Sequence, residues 1–374
     1  MGDFKENSKD FSEKDRSYMA MALELAKKGM GWVSPNPLVG AVIVKDGRII
    51  GKGYHHRYGE LHAEREALKA CAEDPRGAAL YVSLEPCCHQ GKQPPCTEAL
   101  IEAGMKEVYI ASQDPNEKVA GKGIRLLKEA GIQVYTGLLE EEALALNPIF
   151  LHYIQTHRPY VALKHAMTLD GKIASETGDS RGISGKEANE FVHFLRFKYR
   201  AILVGIGTAL ADNPRLTCRR EGGRNPIRVI VDPSFQLPLD SVLVKTAKEA
   251  LTIVAGLEEK MTEKEALALK EAGVETLGVR GEKGQLDLTD LLQKLGERKI
   301  DSVLVEGGGT LNQSFMKEGL VQKLYTIIAP KWLGGRKAKS PGEGDGIQRI
   351  KDALPLKVEK VSFLGEDLLV ESRR

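Results

Sequence analysis

A histidine, a glutamate and two cysteines have the spacing of a zinc site that lies beside a proton carrier. His62 and Glu64 are separated by one residue, and Cys87 and Cys96 follow downstream. One imidazole and two thiolates suit tetrahedral zinc and leave a fourth position for water, whose pKa the metal lowers to about 7. A carboxylate that binds no metal can then move a proton from this water to a departing amine. The pattern predicts zinc-dependent hydrolytic deamination, in which His62, Cys87 and Cys96 hold Zn²⁺ and Glu64 is the catalytic proton carrier.

Two features of this pattern leave an alternative open. Residues 88–95 separate Cys87 from Cys96, a longer gap than in the general deaminase signature. A purely structural zinc site would take four protein ligands, and Cys88 or His89 could supply the fourth. The His-x-Glu pair favours a catalytic site, and we expect Cys88 to be a spare thiol beside it.

The segments around these residues alternate between helical and extended patterns, which predicts an α/β/α sandwich. The predicted elements are a helix over 15–28, a hairpin of strands 38–44 and 48–54 that turns at Asp46-Gly47, a helix over 62–72, a strand over 79–84, a short helix capped by Thr97, a strand over 107–111, a helix over 123–130 and a strand over 132–135. The zinc ligands would therefore come from two helix starts and a strand end, where sites form in open α/β sheets.

A second α/β pattern follows a connecting helix or linker over 140–155 and the segment His157-Arg158-Pro159. Its predicted elements are strands over 160–167, 201–204, 227–231, 250–254, 274–279, 302–305 and 323–328, a helix over 185–199 and a hairpin over 358–371. Residues 305–310 end a buried strand in three glycines before a helix, a turn that lets backbone N–H groups approach a phosphate. We therefore predict two domains, at 1–155 and 156–374.

The composition argues against several classes of partner. The 374 residues carry a formal net charge of +2 at pH 7 and no basic stripe, so a nucleic-acid partner is not expected. No apolar run reaches the length of a membrane span, and five cysteines in a chain of this length do not form a disulfide framework. We predict a cytoplasmic protein without a membrane partner, and we expect it to form a homo-oligomer.

The long cysteine spacing matches a known family. The stretch Pro86-Cys87-x-His89-x-Gly91-Lys92-x-Pro94-Pro95-Cys96, preceded by His62-Ala63-Glu64, closely resembles the deaminase half of the bifunctional riboflavin-biosynthesis deaminase/reductases. Residues 35–42 and 114–116 resemble the substrate loops of that family. The resemblance implies a cytidine-deaminase-like fold and substrate contacts at Asn36, His55, Lys92, Asp114 and Asn116. On the residues alone, His55 could be a satisfied polar side chain and 114–116 a plain turn.

The second half resembles the reductase half of the same enzymes. The resemblance rests on Lys164-x-Ala166-x-x-Leu169-Asp170-Gly171-Lys172 and on residues 205–219, 231–234 and 306–308. It implies a dihydrofolate-reductase-like α/β domain that uses NADPH. The implied cofactor contacts are Ala166, Thr208, Asp212, Ser234, Gly308, Gly309 and Thr310. The implied substrate contacts are Ser180, Arg196, Leu216, Arg219 and Glu306, of which the two arginines suit a phosphate.

One stretch departs from the reductase pattern. The family usually has Ser-x-Trp-x-Thr where this chain has Ser180-Arg181-Gly182-Ile183-Ser184. The missing tryptophan removes a flat packing surface near the nicotinamide, and we nevertheless predict that NADPH binds. For the proton that the reduction requires, Lys164 and Asp212 are candidates on chemistry alone.

Together the two halves imply a bifunctional enzyme that acts on small phosphorylated pyrimidines. It would deaminate 2,5-diamino-6-(5-phosphoribosylamino)pyrimidin-4-one and then reduce the ribosyl group of 5-amino-6-(5-phosphoribosylamino)uracil to ribityl with NADPH. Two other interpretations stay open. One is a nucleic-acid base deaminase with an accessory domain, which the balanced charge disfavours. The other is a zinc-stabilised nucleotide sensor, which four protein ligands on the zinc would favour.

Overall fold

A computed structural model describes residues 10–90, 93–116 and 119–374 of the chain. These residues fall into two compact units that divide between Thr156 and His157. Within the described residues, no helix is long and apolar enough to cross a membrane. The implied substrate contact Lys92 lies outside the described residues.

The first unit is a five-stranded sheet with helices on both faces. Its elements are α1 (Glu13–Lys27), β1 (Gly40–Lys45), β2 (Arg48–Tyr54), α2 (Ala63–Lys69), β3 (Ala79–Leu84), α3 (Cys96–Glu102), β4 (Glu107–Ser112), α4 (Lys122–Glu129), β5 (Gln133–Thr136), α5 (Glu140–Leu146) and α6 (Pro148–Thr156). The strand order is β2-β1-β3-β4-β5. β1 is antiparallel to both of its neighbours, whereas β3, β4 and β5 run parallel.

Alternate residues of each strand supply the two apolar layers of this unit, because successive side chains point to opposite faces of a sheet. In β4, Val108 and Ile110 belong to the layer that includes Leu127 of α4. Tyr109 and Ala111 belong to the layer beneath α1 and α5. The two layers bury both faces of β3 and β4. The carboxyl ends of these strands carry residues of the site described below.

The start of α3 differs from the prediction. Pro95 is the N-cap residue, and Thr97 is buried within the helix, so the predicted cap at Thr97 is wrong. The N–H groups of Cys96 and Thr97 are bonded instead to the Sγ and the carbonyl of Cys87. A tertiary contact with the β3 end therefore replaces the local cap that the sequence suggested.

The predicted helix over 140–155 is two helices, α5 and α6. Pro148 occupies the first position of α6, where the missing N–H is tolerated, but it cannot continue α5. The side chain of Asn147 turns away from the helix and bonds the N–H of Leu38 at 2.8 Å and its carbonyl at 2.9 Å. This link holds the start of α6 against the segment that precedes β1.

The second unit is built on a mixed sheet of nine strands in the order β10-β9-β8-β7-β13-β6-β14-β16-β15. Its elements are β6 (Tyr160–Thr168), α7 (Lys186–Lys198), β7 (Ala201–Gly205), α8 (Ile206–Asp212), β8 (Ile227–Val231), α9 (Val242–Lys245), β9 (Thr252–Leu257), α10 (Lys264–Glu271), β10 (Glu275–Val279), β11 (Gly281–Glu282), β12 (Gln285–Leu286), α11 (Leu288–Glu297), β13 (Ser302–Val305), α12 (Gly309–Lys317), β14 (Lys323–Ala329), β15 (Lys357–Leu364) and β16 (Asp367–Arg373). Pairing is parallel from β10 to β14 and antiparallel for β14, β16 and β15.

The centre of this sheet is buried on both faces, as expected for parallel strands covered by helices. All four residues of β13 are buried, and so are Ala201–Val204 of β7. β13 pairs with β6 only from Tyr160 to Leu163. Residues 164–168 of β6 continue beyond that point and, among the described strands, are paired with β14 alone. The early end of β13 opens a gap at the carboxyl ends of the central strands.

Candidate functional site

The three predicted zinc ligands lie together in the first unit. The donor atoms of His62, Cys87 and Cys96 all lie within 4.8 Å of one another. The Nδ1 atom of His62 is 3.4 Å from the Sγ of Cys87 and 3.4 Å from the Sγ of Cys96. Tetrahedral bonds of about 2.0 Å to nitrogen and about 2.3 Å to sulfur give an N···S separation of about 3.5 Å. The two N···S distances therefore fit a zinc ion held by these three donors.

Three chain segments bring these donors to one point. His62 is the N-cap residue of α2, Cys96 is the first residue of α3, and Cys87 follows the end of β3. The N–H of Cys96 donates to the Sγ of Cys87 at 3.4 Å. Arg65 of α2 donates to the carbonyl of Pro95 at 2.9 Å. The turn before α3 is thus held against both the end of β3 and the first turn of α2.

The two thiols are electrostatically coupled. A hydrogen bond with Cys96 lowers the pKa of Cys87 to about 4, and the Cys87 thiolate in turn holds the pKa of Cys96 well above its usual range. A zinc ion that replaced the proton between Cys87 and Cys96 would be held by both sulfurs as thiolates. Among the described residues, Cys88 and His89 do not join this donor group. Three protein donors are the number that catalytic zinc sites use, since these sites keep one position open.

Glu64 lies in the first turn of α2, beside the donor group but outside it. It is 3% exposed and lines the same cavity as His62 and Cys87. Burial raises the pKa of Glu64 to about 7, and the negative charge of Cys87 acts in the same direction. A carboxyl group that titrates near neutral pH can accept a proton and return it, which is what a general acid–base catalyst must do.

A cavity of about 320 Å³ opens beside the donor atoms. Four of the five implied substrate contacts line it: Asn36, His55, Asp114 and Asn116. Part of the wall comes from Phe150, Tyr153 and Ile154 of α6, which the sequence did not single out. The only indication of them in the sequence was the apolar character of these residues within segment 140–155, which was predicted to connect the two domains. The volume suits a small ligand.

His55 supports Asn36 within this cavity. The Nδ1 of His55 faces the carbonyl of Leu61 at 2.9 Å, and its Nε2 lies 3.1 Å from the Nδ2 of Asn36. Since a carbonyl can only accept, Nδ1 carries the proton and Nε2 accepts from the Asn36 amide. Burial lowers the pKa of His55 to about 4, so the ring is neutral at physiological pH. This arrangement directs the amide nitrogen of Asn36 to His55 and leaves its amide oxygen for a ligand.

Asp114 and Asn116 form a turn and line the cavity at the same time. The N–H of Asn116 donates to the Oδ1 of Asp114 at 2.9 Å, as in an Asx turn. Asp114 is buried, and this burial raises its pKa to about 6. Residues 114–116 therefore form a turn that borders the cavity, and their contact with a substrate stays a prediction.

The second unit has a cleft of about 450 Å³ at the carboxyl ends of β6, β7 and β13. Two segments of its wall, 205–208 and 306–310, turn from a strand into a helix. At Gly207 an added Cβ would meet no atom within 4 Å, so the backbone borders open space there. Glycine turns at the carboxyl ends of adjacent parallel strands suit the diphosphate of a dinucleotide. The residues present therefore fit a nicotinamide dinucleotide.

Most of the implied reductase residues line this cleft. Those that do are Lys164, Ala166, Ser180, Thr208, Asp212, Glu306, Gly308, Gly309 and Thr310. Those outside the lining are Arg196, Leu216, Arg219 and Ser234. Ser234 follows β8 at the same edge of the sheet, where the ammonium of Lys260 donates to its hydroxyl at 3.2 Å. His165, Lys339 and Glu343 also line the cleft and were not predicted, because no motif marks them.

Arg196 does not have the free guanidinium that phosphate binding would need. Its guanidinium bonds both carboxylate oxygens of Glu306, at 2.8 and 2.9 Å, and it also donates to the carbonyl of Thr217 at 3.3 Å. The side chains of the ion pair are 14% and 10% exposed. The Arg196 fork is therefore occupied within the chain and is not free for a phosphate. Arg196 instead orients Glu306, which does line the cleft.

Gly182, where the family usually has tryptophan, lies in the wall of the cleft. Its φ of +70° is in the left-handed region, and an added Cβ would meet no atom within 4 Å. The ammonium of Lys331 donates to the Gly182 carbonyl and holds the segment in place. The departure thus leaves open space at this wall without disturbing the backbone turn.

Two family models match the chain. Residues 12–112 match the cytidine and deoxycytidylate deaminase zinc-binding region, and residues 159–370 match the RibD C-terminal domain. The riboflavin biosynthesis protein RibD of Actinobacillus pleuropneumoniae is 50% identical over 357 residues, which cover 96% of this chain and 94% of that protein. Its counterpart from Aquifex aeolicus is 43% identical over 364 residues, with coverages of 97% and 99%.

Two solved structures match most of the chain. Acinetobacter baumannii RibD, form 1, has a TM-score of 0.87 at 38% identity and covers 96% of this chain and 99% of its own. The diaminohydroxyphosphoribosylaminopyrimidine deaminase/5-amino-6-(5-phosphoribosylamino)uracil reductase of Thermotoga maritima has a TM-score of 0.85 at 41% identity, with coverages of 96% and 98%.

The fold, the donor group and these matches define a zinc-dependent deaminase joined to a reductase, which confirms the predicted fold class. The zinc and NADPH predictions are confirmed as well, since the first match is a zinc-binding region and the reductase domain of such enzymes uses NADPH. The chain belongs to the RibD family of riboflavin biosynthesis proteins.

Proposed function

We propose that the chain deaminates 2,5-diamino-6-(5-phosphoribosylamino)pyrimidin-4-one and then reduces the ribosyl group of 5-amino-6-(5-phosphoribosylamino)uracil to ribityl. The first reaction is assigned to a domain at 1–155 and the second to a domain at 156–374. The observation that carries the proposal is the group of three donors beside the buried Glu64. The Thermotoga maritima relative, whose name states both reactions, supports the choice of substrates.

In the deaminase, His62, Cys87 and Cys96 would hold the zinc ion, which when bound supplies an activated water. Glu64 accepts a proton as water adds to the ring carbon that bears the amine. It then gives a proton to the amine, which leaves as ammonia while the ring carbon becomes a carbonyl. A carboxyl group that titrates near neutral pH suits both of these transfers.

The cavity side chains orient the pyrimidine for this attack. Asn36 offers its amide oxygen to an N–H group of the ring, because His55 holds the amide nitrogen. Asp114 and Asn116, on one turn, border the same cavity. Phe150 and Tyr153 supply ring surfaces beside which a flat heterocycle can pack. Lys92, outside the described residues, is kept as a substrate contact on the resemblance alone.

In the reductase, the glycine turns and their neighbours would hold NADPH, which when bound supplies a hydride. The proposed cofactor contacts within the cleft are Ala166, Thr208, Asp212, Gly308, Gly309 and Thr310, and Ser234 extends them along the sheet edge. Ser180 and Glu306 border the substrate side of the cleft, and Arg196 orients Glu306. Leu216 and Arg219 are further proposed substrate contacts. Burial lowers the pKa of Lys164, which makes it the better proton donor of the two candidates.

The order of the two reactions can be tested directly. Purified zinc-loaded protein is mixed with the phosphorylated diaminopyrimidinone, and ammonia is measured before and after NADPH is added. We expect ammonia without NADPH, and NADPH oxidation only after deamination. Ammonia without later NADPH oxidation would refute the reductase half. No ammonia at all would refute the substrate and favour a base deaminase, which RNA binding at moderate salt would then check. The homo-oligomer and the cytoplasmic location remain predictions.

NADPH is expected to bind saturably despite glycine at position 182. The reason is that Gly182 borders open space, whereas the glycine turns at 205–208 and 306–310 that face the diphosphate are intact. A calorimetric or fluorescence titration measures this, and a signal that never saturates would contradict it. As a matched variant, Gly207→Val should weaken binding about tenfold or more, because a Cβ added at Gly207 meets no protein atom within 4 Å and the side chain takes up space proposed for the dinucleotide.

A further inference from the structure

Glu85 is a buried carboxylate that links two parts of the deaminase cavity. It follows β3 directly, precedes Pro86 and Cys87, and is 4% exposed. Its Oε2 accepts from the N–H of Asp114 at 3.3 Å and from the N–H of Gly121 at 3.0 Å. Its Oε1 accepts from the N–H of Ile124 at 3.2 Å. A carboxylate bonded to backbone N–H groups makes charge-assisted hydrogen bonds, which are stronger than neutral ones.

These contacts make Glu85 a remote cap for α4. The N-cap residue Gly121 has φ +81° and offers no side chain, so the Glu85 carboxylate fulfils the role that a local cap usually has. The helix start also lies directly against the β3 turn. An added Cβ at Gly123 would be 2.4 Å from the carbonyl oxygen of Pro86 and 3.1 Å from the Oε1 of Glu85. The turn before Cys87 and the start of α4 therefore pack so closely that position 123 has no room for a side chain.

A short chain of hydrogen bonds continues from Glu85 to the cavity wall. Glu85 holds the N–H of Asp114, and the Oδ1 of Asp114 holds the N–H of Asn116 at 2.9 Å. Glu85, Asp114 and Asn116 all line the cavity. The carboxylate of Glu85 is directed at backbone groups of the loop and belongs to no donor group with the metal ligands. Its position affects where the loop lies, and it leaves the three zinc donors in place.

We propose that Glu85 is a positioning residue for deamination, which fixes the 113–116 loop so that Asp114 and Asn116 meet the pyrimidine. The proposal rests on the proposed deaminase function. It predicts that loss of the Glu85 contacts impairs substrate binding before it impairs metal binding. The reductase in the other unit should be unaffected, since all the contacts of Glu85 described above lie in the first unit.

The test is Glu85→Gln, which keeps the shape but turns an NH₂ group toward N–H donors. The KM for the diaminopyrimidinone, measured by ammonia release, should rise about tenfold, with kcat changed much less. Zinc content and the NADPH-dependent reduction of deaminated substrate should match the wild type. The matched control is Asp15→Asn, another buried carboxylate of this unit, bonded to Tyr81 and to the N–H of Ser12, away from the cavity. Its KM should not change.

An unchanged KM in Glu85→Gln, or a loss of zinc that accounts for its defect, would overturn the proposal. If the first unit of the glutamine variant does not fold, which a loss of amide protection throughout β3 and β4 would show, Gly123→Ala replaces it. This variant keeps the carboxylate but pushes α4 from the β3 turn, and the same rise in KM is expected. Amide hydrogen exchange at Asp114 and Ile124 needs no substrate and should be about tenfold faster in Glu85→Gln. If the wild type releases no ammonia, the proposed function fails, and unchanged exchange at these amides would separately overturn the positioning role.

Discussion

Glu64→Gln is expected to lower ammonia release by about a thousandfold, because the variant cannot accept or return a proton. Zinc should remain bound, since Glu64 lies outside the donor group of His62, Cys87 and Cys96. The glutamine side chain fills the same buried space, so the first turn of α2 should keep its structure. Ammonia release and elemental analysis of zinc are measured on the same preparation.

A matched control separates proton transfer from a change in local charge. Glu66 lies in the same first turn of α2 but is not among the residues that line the cavity. Glu66→Gln removes an equal charge and should retain ammonia release. Near-normal ammonia release by zinc-loaded Glu64→Gln would exclude Glu64 as the proton carrier.

Cys87→Ser and Cys96→Ser are each expected to lose the zinc ion and, with it, deamination. A serine hydroxyl is protonated at neutral pH and is a poor zinc ligand, whereas the coupled thiols of the native site already favour a thiolate at Cys87. Zinc per chain should fall well below one by elemental analysis. Reduction of deaminated substrate with NADPH should continue, because the reductase cleft lies in a separate compact unit.

Cys88→Ser is the matched control for these substitutions. Cys88 is adjacent to a ligand in sequence, yet it is not part of the donor group. This variant should keep zinc and ammonia release. Full zinc occupancy in Cys87→Ser or Cys96→Ser would refute the ligand set. Loss of zinc from Cys88→Ser would revive the structural site with four protein ligands.

The spacing of residues along the chain predicted the zinc ligands and Glu64 better than it predicted the residues that hold the site in place. His62 and Glu64 are near neighbours in one helical turn, and Cys87 and Cys96 flank one loop, so their convergence required only a plausible α/β unit. The role of Glu85 depends on N–H groups that lie 29, 36 and 39 residues further along the chain. Nothing in the local sequence indicates which backbone groups will face a buried carboxylate after folding.

The same limit explains the details that differed. The cap predicted at Thr97 was displaced by bonds to Cys87, nine residues earlier for the Cys96 N–H. In the reductase, the sequence placed Arg196 near a phosphate, but Glu306, 110 residues away, occupies its guanidinium. Motifs predicted which segments follow a strand end. They could not predict which partner a long charged side chain would choose among residues distant in sequence.

Because β13 ends early, residues 164–166 of β6 border the reductase cleft with main-chain groups that do not depend on the side chains present. Along residues 164–168, the part of the chain that the structure describes gives β6 a strand partner, β14, on one side only. Backbone groups on its other side are not committed to a neighbouring strand, and buried groups of this kind require partners. Main-chain donors and acceptors persist whatever side chain is present, unless proline removes an N–H. Substitution of a side chain such as His165 therefore reshapes the cleft, while the main-chain hydrogen-bonding groups of β6 beside it are retained.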